Sequence, residues 1–203
     1  MGLKLIGRLA GVLVLAAGLS GCLDARVDIA VTSMTTAKAV VTQVMAPQFY
    51  AMVKASAAQE GADAPSSADE FCAKGVLTEN ADGSATCVLT EEGPFAGLSM
   101  GNQNKTITFT PAGDGLVRVA LPTAEIKGDL GIDEAMDEQT RQMVEAFFKG
   151  HAITLHFSGL DVTDTNMTLA PDKKSAEAVI GFLDLIEGTA DLPDEIYAVV
   201  RVP

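Results

Sequence analysis

Gly97-Leu98-Ser99-Met100-Gly101 has the Gly-x-Ser-x-Gly spacing that, in hydrolases, sets a serine on a strained turn between a buried strand and a helix. His151 and His156 lie downstream with Asp114 and Asp129 between, so the order serine, aspartate, histidine matches that family. The flanks do not match. Glu92-Gly93-Pro94 precedes the serine and the strand-like Lys105-Thr-Ile-Thr-Phe109 follows it, and the alternating βα units of such a hydrolase are missing. The stretch reads as a flexible loop, and no catalytic residue is assigned. The two histidines, five apart on one strand, should point to opposite faces and so cannot chelate one metal together. Asp133, Glu134, Asp137 and Glu138 lack the turn glycine and terminal bidentate glutamate of a calcium loop. Capping and dipole matching at a helix N-terminus account for them. No metal, no cofactor and no enzymatic activity is expected.

The cysteines carry more. Lys4 and Arg8 precede an apolar run from Leu9 to Leu19, and Leu19-Ser20-Gly21-Cys22 closes it. Eleven apolar residues are too few for a bilayer, which takes about 20, so the run reads as a secretory leader. Its ending resembles the bacterial lipobox, in which small residues admit the peptidase and the cysteine after the cut is acylated. Residues 1–21 are thus expected to be a lipoprotein signal peptide and residues 22–203 a single periplasmic α+β domain. Cys22 would hold fatty acyl chains of the palmitate class, each buried methylene contributing about 0.8 kcal/mol. Leu23, not aspartate, follows the cysteine. By the sorting rule of that class this points to the outer membrane rather than the inner.

With Cys22 assigned to lipid, Cys72 and Cys87 remain as a pair in an oxidising compartment. Their bridge would close a loop of about 15 residues and contribute roughly 3 kcal/mol in the chain-entropy model. A redox or metal pair would want Cys-x-x-Cys spacing, which is absent. The leader also removes two basic residues and no acid, so the formal charge falls from −13 to −15. Such a body is repelled by nucleic acid and by anionic head groups, which excludes nucleic-acid binding and docking through a basic patch.

These residues need elements to hold them. Ala25, Val27, Ile29 and Val31 alternate with polar neighbours, a half-buried strand that begins almost at Cys22 and keeps the domain close to the bilayer. Thr36–Met45 reads as its hairpin partner. Pro47 to Glu60 reads as a helix, with Phe49, Met52, Val53 and Ala57 on one face. Ser67-Ala-Asp-Glu70 is a capping box opening a short helix to Gly75, which carries Cys72, and Cys87 falls in a strand over 85–91. Lys105–Thr110 and Leu116–Leu121 flank a five-residue loop as a hairpin. Asp133 to Lys149 is the clearest helix, with Met136, Met143, Val144, Phe147 and Phe148 on one face. Ile153–Phe157, Val162–Leu169, Ala176–Ile180 and Glu195–Val202 read as strands and Phe182–Glu187 as a short helix. The fold class is therefore α+β, a largely antiparallel sheet with two or three amphipathic helices packed on one face.

Two stretches resemble the LppM-type bacterial lipoproteins. One is Cys22-Leu23 followed directly by the strand bearing Val27, Ile29 and Val31. The other is Phe157-Ser-Gly159 with Val162-Thr-Asp-Thr-Asn166 after it. The resemblance implies an acylated α+β domain at a membrane surface, with lipid or glycolipid binding proposed for the family. Met167 departs from the glycine expected after the asparagine, and the cysteine pair is not part of the pattern. No ligand contact carries over.

The expected role is a non-enzymatic, membrane-anchored lipoprotein of the cell envelope. A lipid or other apolar ligand would sit in a groove lined by Phe49, Met52, Met136, Met143 and Phe147. The alternative is an envelope scaffold or assembly protein that buries those faces and works through protein–protein contacts.

Overall fold

A computed structural model describes residues 24–60, 71–99, 107–124, 142, 145–146 and 148–203. The fold is broadly α+β and dominated by strands. In chain order the described elements are β1 (Asp24–Val31), β2 (Thr36–Met45), α1 (Pro47–Glu60), β3 (Val76–Glu79), β4 (Ala85–Pro94) and a 3-10 turn (Phe95–Gly97). They continue with β5 (Thr108–Gly113), β6 (Leu116–Pro122), β7 (Ala152–Ser158), β8 (Asp161–Thr165), β9 (Thr168–Leu169), β10 (Ser175–Gly181), α2 (Phe182–Ile186) and β11 (Glu195–Arg201). The chain divides into two compact units. The larger holds 24–42 and 89–203 and the smaller holds 43–88, so β2 and β4 each run from one unit into the other.

The larger unit is built from two sheets. In one, β2, β1, β7, β10 and β9 are neighbours in that order; in the other the order is β5-β6-β11-β8. β1 and β7 pair in parallel, from Ala25 opposite Ile153 to Ala30 opposite Ser158. β7 with β10, β10 with β9, β5 with β6, β6 with β11 and β11 with β8 are antiparallel. Alternation decides which side chains go in. Ile29 and Val31, Leu155 and Phe157, Ala176 and Ile180 point inward from the first sheet. Val117 and Val119, Ile196, Ala198 and Val200 do so from the second, and all share one buried cluster.

That closure corrects the expected architecture. Two or three helices packed on one face of a single sheet were expected, but the apolar face of the first sheet is covered by the apolar face of the second. Residue periodicity tells a strand which side to bury and says nothing about which sheet supplies the other half. Of the expected helix from Asp133 to Lys149, Gln142, Glu145, Ala146 and Phe148 are helical, Lys149 lies in the turn that follows, and the rest is outside the described residues. α2 is a five-residue helix that buries Phe182 and Leu185.

Smaller departures have local causes. The segment read as one strand over 162–169 is two, because Asn166 leaves the ladder: its amide donates to the Glu195 carbonyl at 2.7 Å and its Oδ1 accepts the Tyr197 N–H at 2.8 Å. The expected five-residue hairpin loop is a tight turn at Asp114-Gly115, with a bulge between Pro111 and Gly113. Gly113 at φ 135° and Gly115 at φ 68° supply backbone conformations that side-chain-bearing residues resist. Gly159, in the second stretch of the LppM-type resemblance, has no room for a side chain. A Cβ there would lie 2.8 Å from the Arg201 carbonyl oxygen and 3.0 Å from Val200 Cβ.

The smaller unit is slighter. β3 and β4 form an antiparallel hairpin, and α1 contributes Tyr50 to a buried cluster with Met45 and Ala85, packed about by Phe49, Val53 and Phe71. β3 was not expected from the sequence. All four of its residues are exposed, so it carries no alternation to read.

Candidate functional site

Cys22, the expected acylation site, lies outside the described residues, as do Met136, Met143 and Phe147. What the structure shows is where the chain enters the fold after Cys22. β1 opens at Asp24, and the Asp24 carboxylate accepts the N–H of Ala152 at 3.2 Å and lies 3.1 Å from His151 Nδ1. A single residue, Leu23, separates Cys22 from a side chain pinned to the start of β7.

Further along the same strand, Arg26 reaches both ways. Its Nε donates to the Asp28 carboxylate at 3.0 Å and its Nη1 to Glu177 Oε2 of β10 at 2.8 Å. The Asp28 hydrogen bond foremost raises the Arg26 guanidinium further above its ordinary value; burial opposes it, and Glu177 adds to the rise. His156 Nδ1 lies 3.0 Å from Asp28 Oδ1, and its register partner on β10 is Glu177. The seam therefore stitches β1, β7 and β10 on the face away from the core. The two histidines go to separate carboxylates, His151 to Asp24 and His156 to Asp28. The second sheet carries an analogous stitch: Arg118 grips Glu195 at 2.7 and 2.9 Å and lies 4.0 Å over the Tyr197 ring. The Tyr197 hydroxyl donates to Asp164 at 3.1 Å.

Cys72 and Cys87 are joined, with Cα atoms 5.5 Å apart. The bridge links the turn after Phe71 to β4 inside the smaller unit. Gly75 belongs to it. A Cβ there would fall 2.7 Å from Cys87 Sγ, 2.9 Å from the Val88 carbonyl oxygen and 3.0 Å from Cys72 Sγ. Sequence reasoning took Gly75 for a helix end and missed that the bridge occupies its side-chain space.

Of the expected groove residues, Phe49 is half-buried in the small cluster while Met52 is 58% exposed. The expected face of α1 is turned slightly. Tyr50 is its buried residue, and Phe49 and Val53 pack with it. Tyr50 can be buried because its hydroxyl is satisfied, donating to Glu79 Oε1 of β3 at 2.7 Å. Lys54 adds a contact to Glu79 at 3.3 Å and lies 4.5 Å over the Tyr50 ring. The Tyr50 hydrogen bond and then Lys54 hold the Glu79 carboxyl below its usual range, and the same hydrogen bond raises the Tyr50 hydroxyl.

Ser99 sits just past the 3-10 turn that follows β4 and so does not directly follow a strand; β4 runs through Glu92-Gly93-Pro94. Its hydroxyl donates to Glu91 Oε1 at 2.5 Å, and its N–H donates to Oε2 at 2.6 Å. Among the described residues, no three His, Cys, Asp or Glu side chains gather as a metal centre would require, and no helix is long and apolar enough to cross a membrane. The acidic residues 133, 134, 137 and 138 lie outside the described residues.

No protein-family model matches the chain, and no curated protein matches it. Among solved structures it is similar to the folded domain of Mycobacterium tuberculosis LppM, determined by NMR. Sequence identity is 12%, over 88% of this chain and 89% of that one, with a TM-score of 0.48. The case for function lies in this chain's own residues.

Proposed function

We propose that the chain is an acyl-anchored lipoprotein of the bacterial cell envelope, on the periplasmic side, that binds a lipid or another apolar ligand and catalyses no reaction. The observation that carries the anchor is the junction: a lipobox-like Leu19-Ser20-Gly21-Cys22 runs into β1 at Asp24 with no linker between. A cleaved leader followed by a flexible stretch would leave the cysteine's position arbitrary. Here it is the last residue but one before the fold.

The apolar ligand is supported by side chains turned to solvent on the smaller unit. Met52 is 58% exposed and Val76 70%, while the cluster behind them is small. Methionine and aliphatic side chains adapt to irregular apolar partners. A second reading, an envelope scaffold, is favoured by the larger unit, whose two apolar sheet faces are buried against each other and whose outer faces are stitched by ion pairs.

Intact mass of the protein purified from membranes tests the anchor: acyl mass on the Cys22 peptide, lost in Cys22→Ser, is expected. Native mass spectrometry of residues 24–203 then tests the ligand. A discrete added mass that is released on denaturation and identified as lipid supports the carrier. An apo mass 2 Da below the reduced value, as the disulfide requires, turns the reading to the scaffold.

A further inference from the structure

The short junction fixes more than distance from the membrane. β1 is an interior strand, with β2 on one side and β7 on the other. The register sets Ala25 opposite Ile153 and Gly181 opposite Ala152, so Asp24, His151, Ala152 and Gly181 gather at one end of this sheet. Ser158, Lys174 and Ser175 lie at the other, roughly 20 Å away for a strand rising about 3.3 Å per residue. Asp24 is clamped through Ala152 and His151, and from it the chain back to Cys22 spans at most about 7 Å.

We propose that the larger unit stands end-on at the bilayer, with the Asp24–His151–Gly181 end of the β1-β7-β10 sheet at the lipid head groups and the Ser158–Lys174 end held away. The proposal rests on the acylation of Cys22 proposed above and names the surface that meets the membrane. Other poses cost more. Laying down the solvent face would press Asp28 and Glu177 into the head groups with Arg26 and His156 beside them, desolvating a satisfied network. Laying down the β9 edge would need the tether to cross three strand spacings, roughly 14 Å. Among the described residues this end is not basic, since Lys149 and His151 share it with Asp24, Asp184 and Glu187. Orientation therefore comes from the shortness of the tether and is insensitive to salt.

The test uses the full acylated chain reconstituted into phosphatidylcholine vesicles that carry a head-group nitroxide lipid. Lys149→Cys and Lys174→Cys, both at exposed positions, each receive a fluorophore, the native cysteines being occupied by lipid and by the disulfide. Quenching at position 149 is expected to exceed that at 174 several-fold, in low and in high salt alike. A six-residue Gly/Ser insertion between Leu23 and Asp24 adds up to about 20 Å of reach and should bring the two values together. Equal quenching at both positions without the insertion overturns the proposal, and so does a ratio that the insertion leaves unchanged. Intact mass of the same preparation separates the two failures. Acyl chains present with equal quenching sink the end-on pose alone, whereas no acyl chains sink the lipoprotein reading and the pose with it.

Discussion

The two units reach their stability by different means. The larger closes two sheets over a broad cluster in which Ile29, Phe157, Val119, Ala198 and Val200 are wholly buried. The smaller buries Met45, Tyr50 and Ala85, with three half-buried neighbours, and adds a covalent staple. Buried apolar area is the main favourable term in folding, so a unit with little of it needs cross-links to offset the conformational entropy of its chain. The disulfide sits in the unit with the smaller core, and none is found among the described residues of the unit with the larger one. Both units nonetheless leave apolar side chains in solvent, Met52 and Val76 in the smaller and Leu160 and Val179 in the larger.

The sharpest way to break this contrast is to hollow the larger core. Phe157→Ala removes a fully buried ring between the sheets and should cost about 3–5 kcal/mol, as large-to-small changes at such sites do. The chain has no tryptophan and two tyrosines, Tyr50 in the smaller unit and Tyr197 in the larger. Denaturant unfolding followed by tyrosine fluorescence, with each tyrosine in turn changed to Phe, reads the units apart. A loss under about 1 kcal/mol at Tyr197 would mean that the larger unit does not depend on this core.

Next comes the staple. Cys72→Ser with Cys87→Ser should cost the smaller unit about 3 kcal/mol, the loop-closure value for 15 residues. Hydrogen exchange should rise in α1 and β3 and stay unchanged in β7. An equal rise in β7 would show that the two cores melt as one. Gly75→Ala sharpens the same point with a smaller effect of about 1–3 kcal/mol, the usual cost of overpacking. Part of that cost comes from the bridge sulfurs and part from the Val88 carbonyl, so it should shrink but persist in the serine background. A cost unchanged by removal of the bridge would mean that the sulfurs play no part in it.

How far all this was legible depended on whether one stretch of chain held the information. β1, β7 and β11 were readable because each buries alternate residues, and Pro47 marked the start of α1. The Cys72–Cys87 pair was readable by elimination once Cys22 was set aside. β3 was not, since exposure of all four residues erases the alternation. Nor was the second sheet as a cover for the first, because periodicity is blind to partners. The clamp at Asp24 joins residues 127 and 128 apart in sequence. No local pattern encodes it, and an aspartate at a strand start looks like any solvated charge. Tyr50 was overlooked beside Phe49 and Met52 because its burial depends on Glu79, 29 residues on.

That last contact provides the gentlest probe of the smaller unit. Glu79 has its carboxyl lowered chiefly by the Tyr50 hydrogen bond. A carboxyl whose folded value lies below its unfolded value of about 4.5 contributes stability that is present above pH 4.5 and lost as pH falls through the folded value. Acid should therefore weaken the smaller unit from about pH 4.5 downward, and Tyr50→Phe should flatten that fall while leaving Lys54 as the remaining partner of Glu79. Because the carboxylate is solvent-exposed, the change at neutral pH should be well below that of removing the disulfide. Exchange of the α1 amides against pH, in both proteins, checks it. If Tyr50→Phe leaves the acid limb as steep as before, the lowered carboxyl is not what ties α1 to β3. Packing of Tyr50 against Met45 and Ala85 would then be the whole of the attachment, and the smaller unit would resemble the larger in kind, differing only in extent.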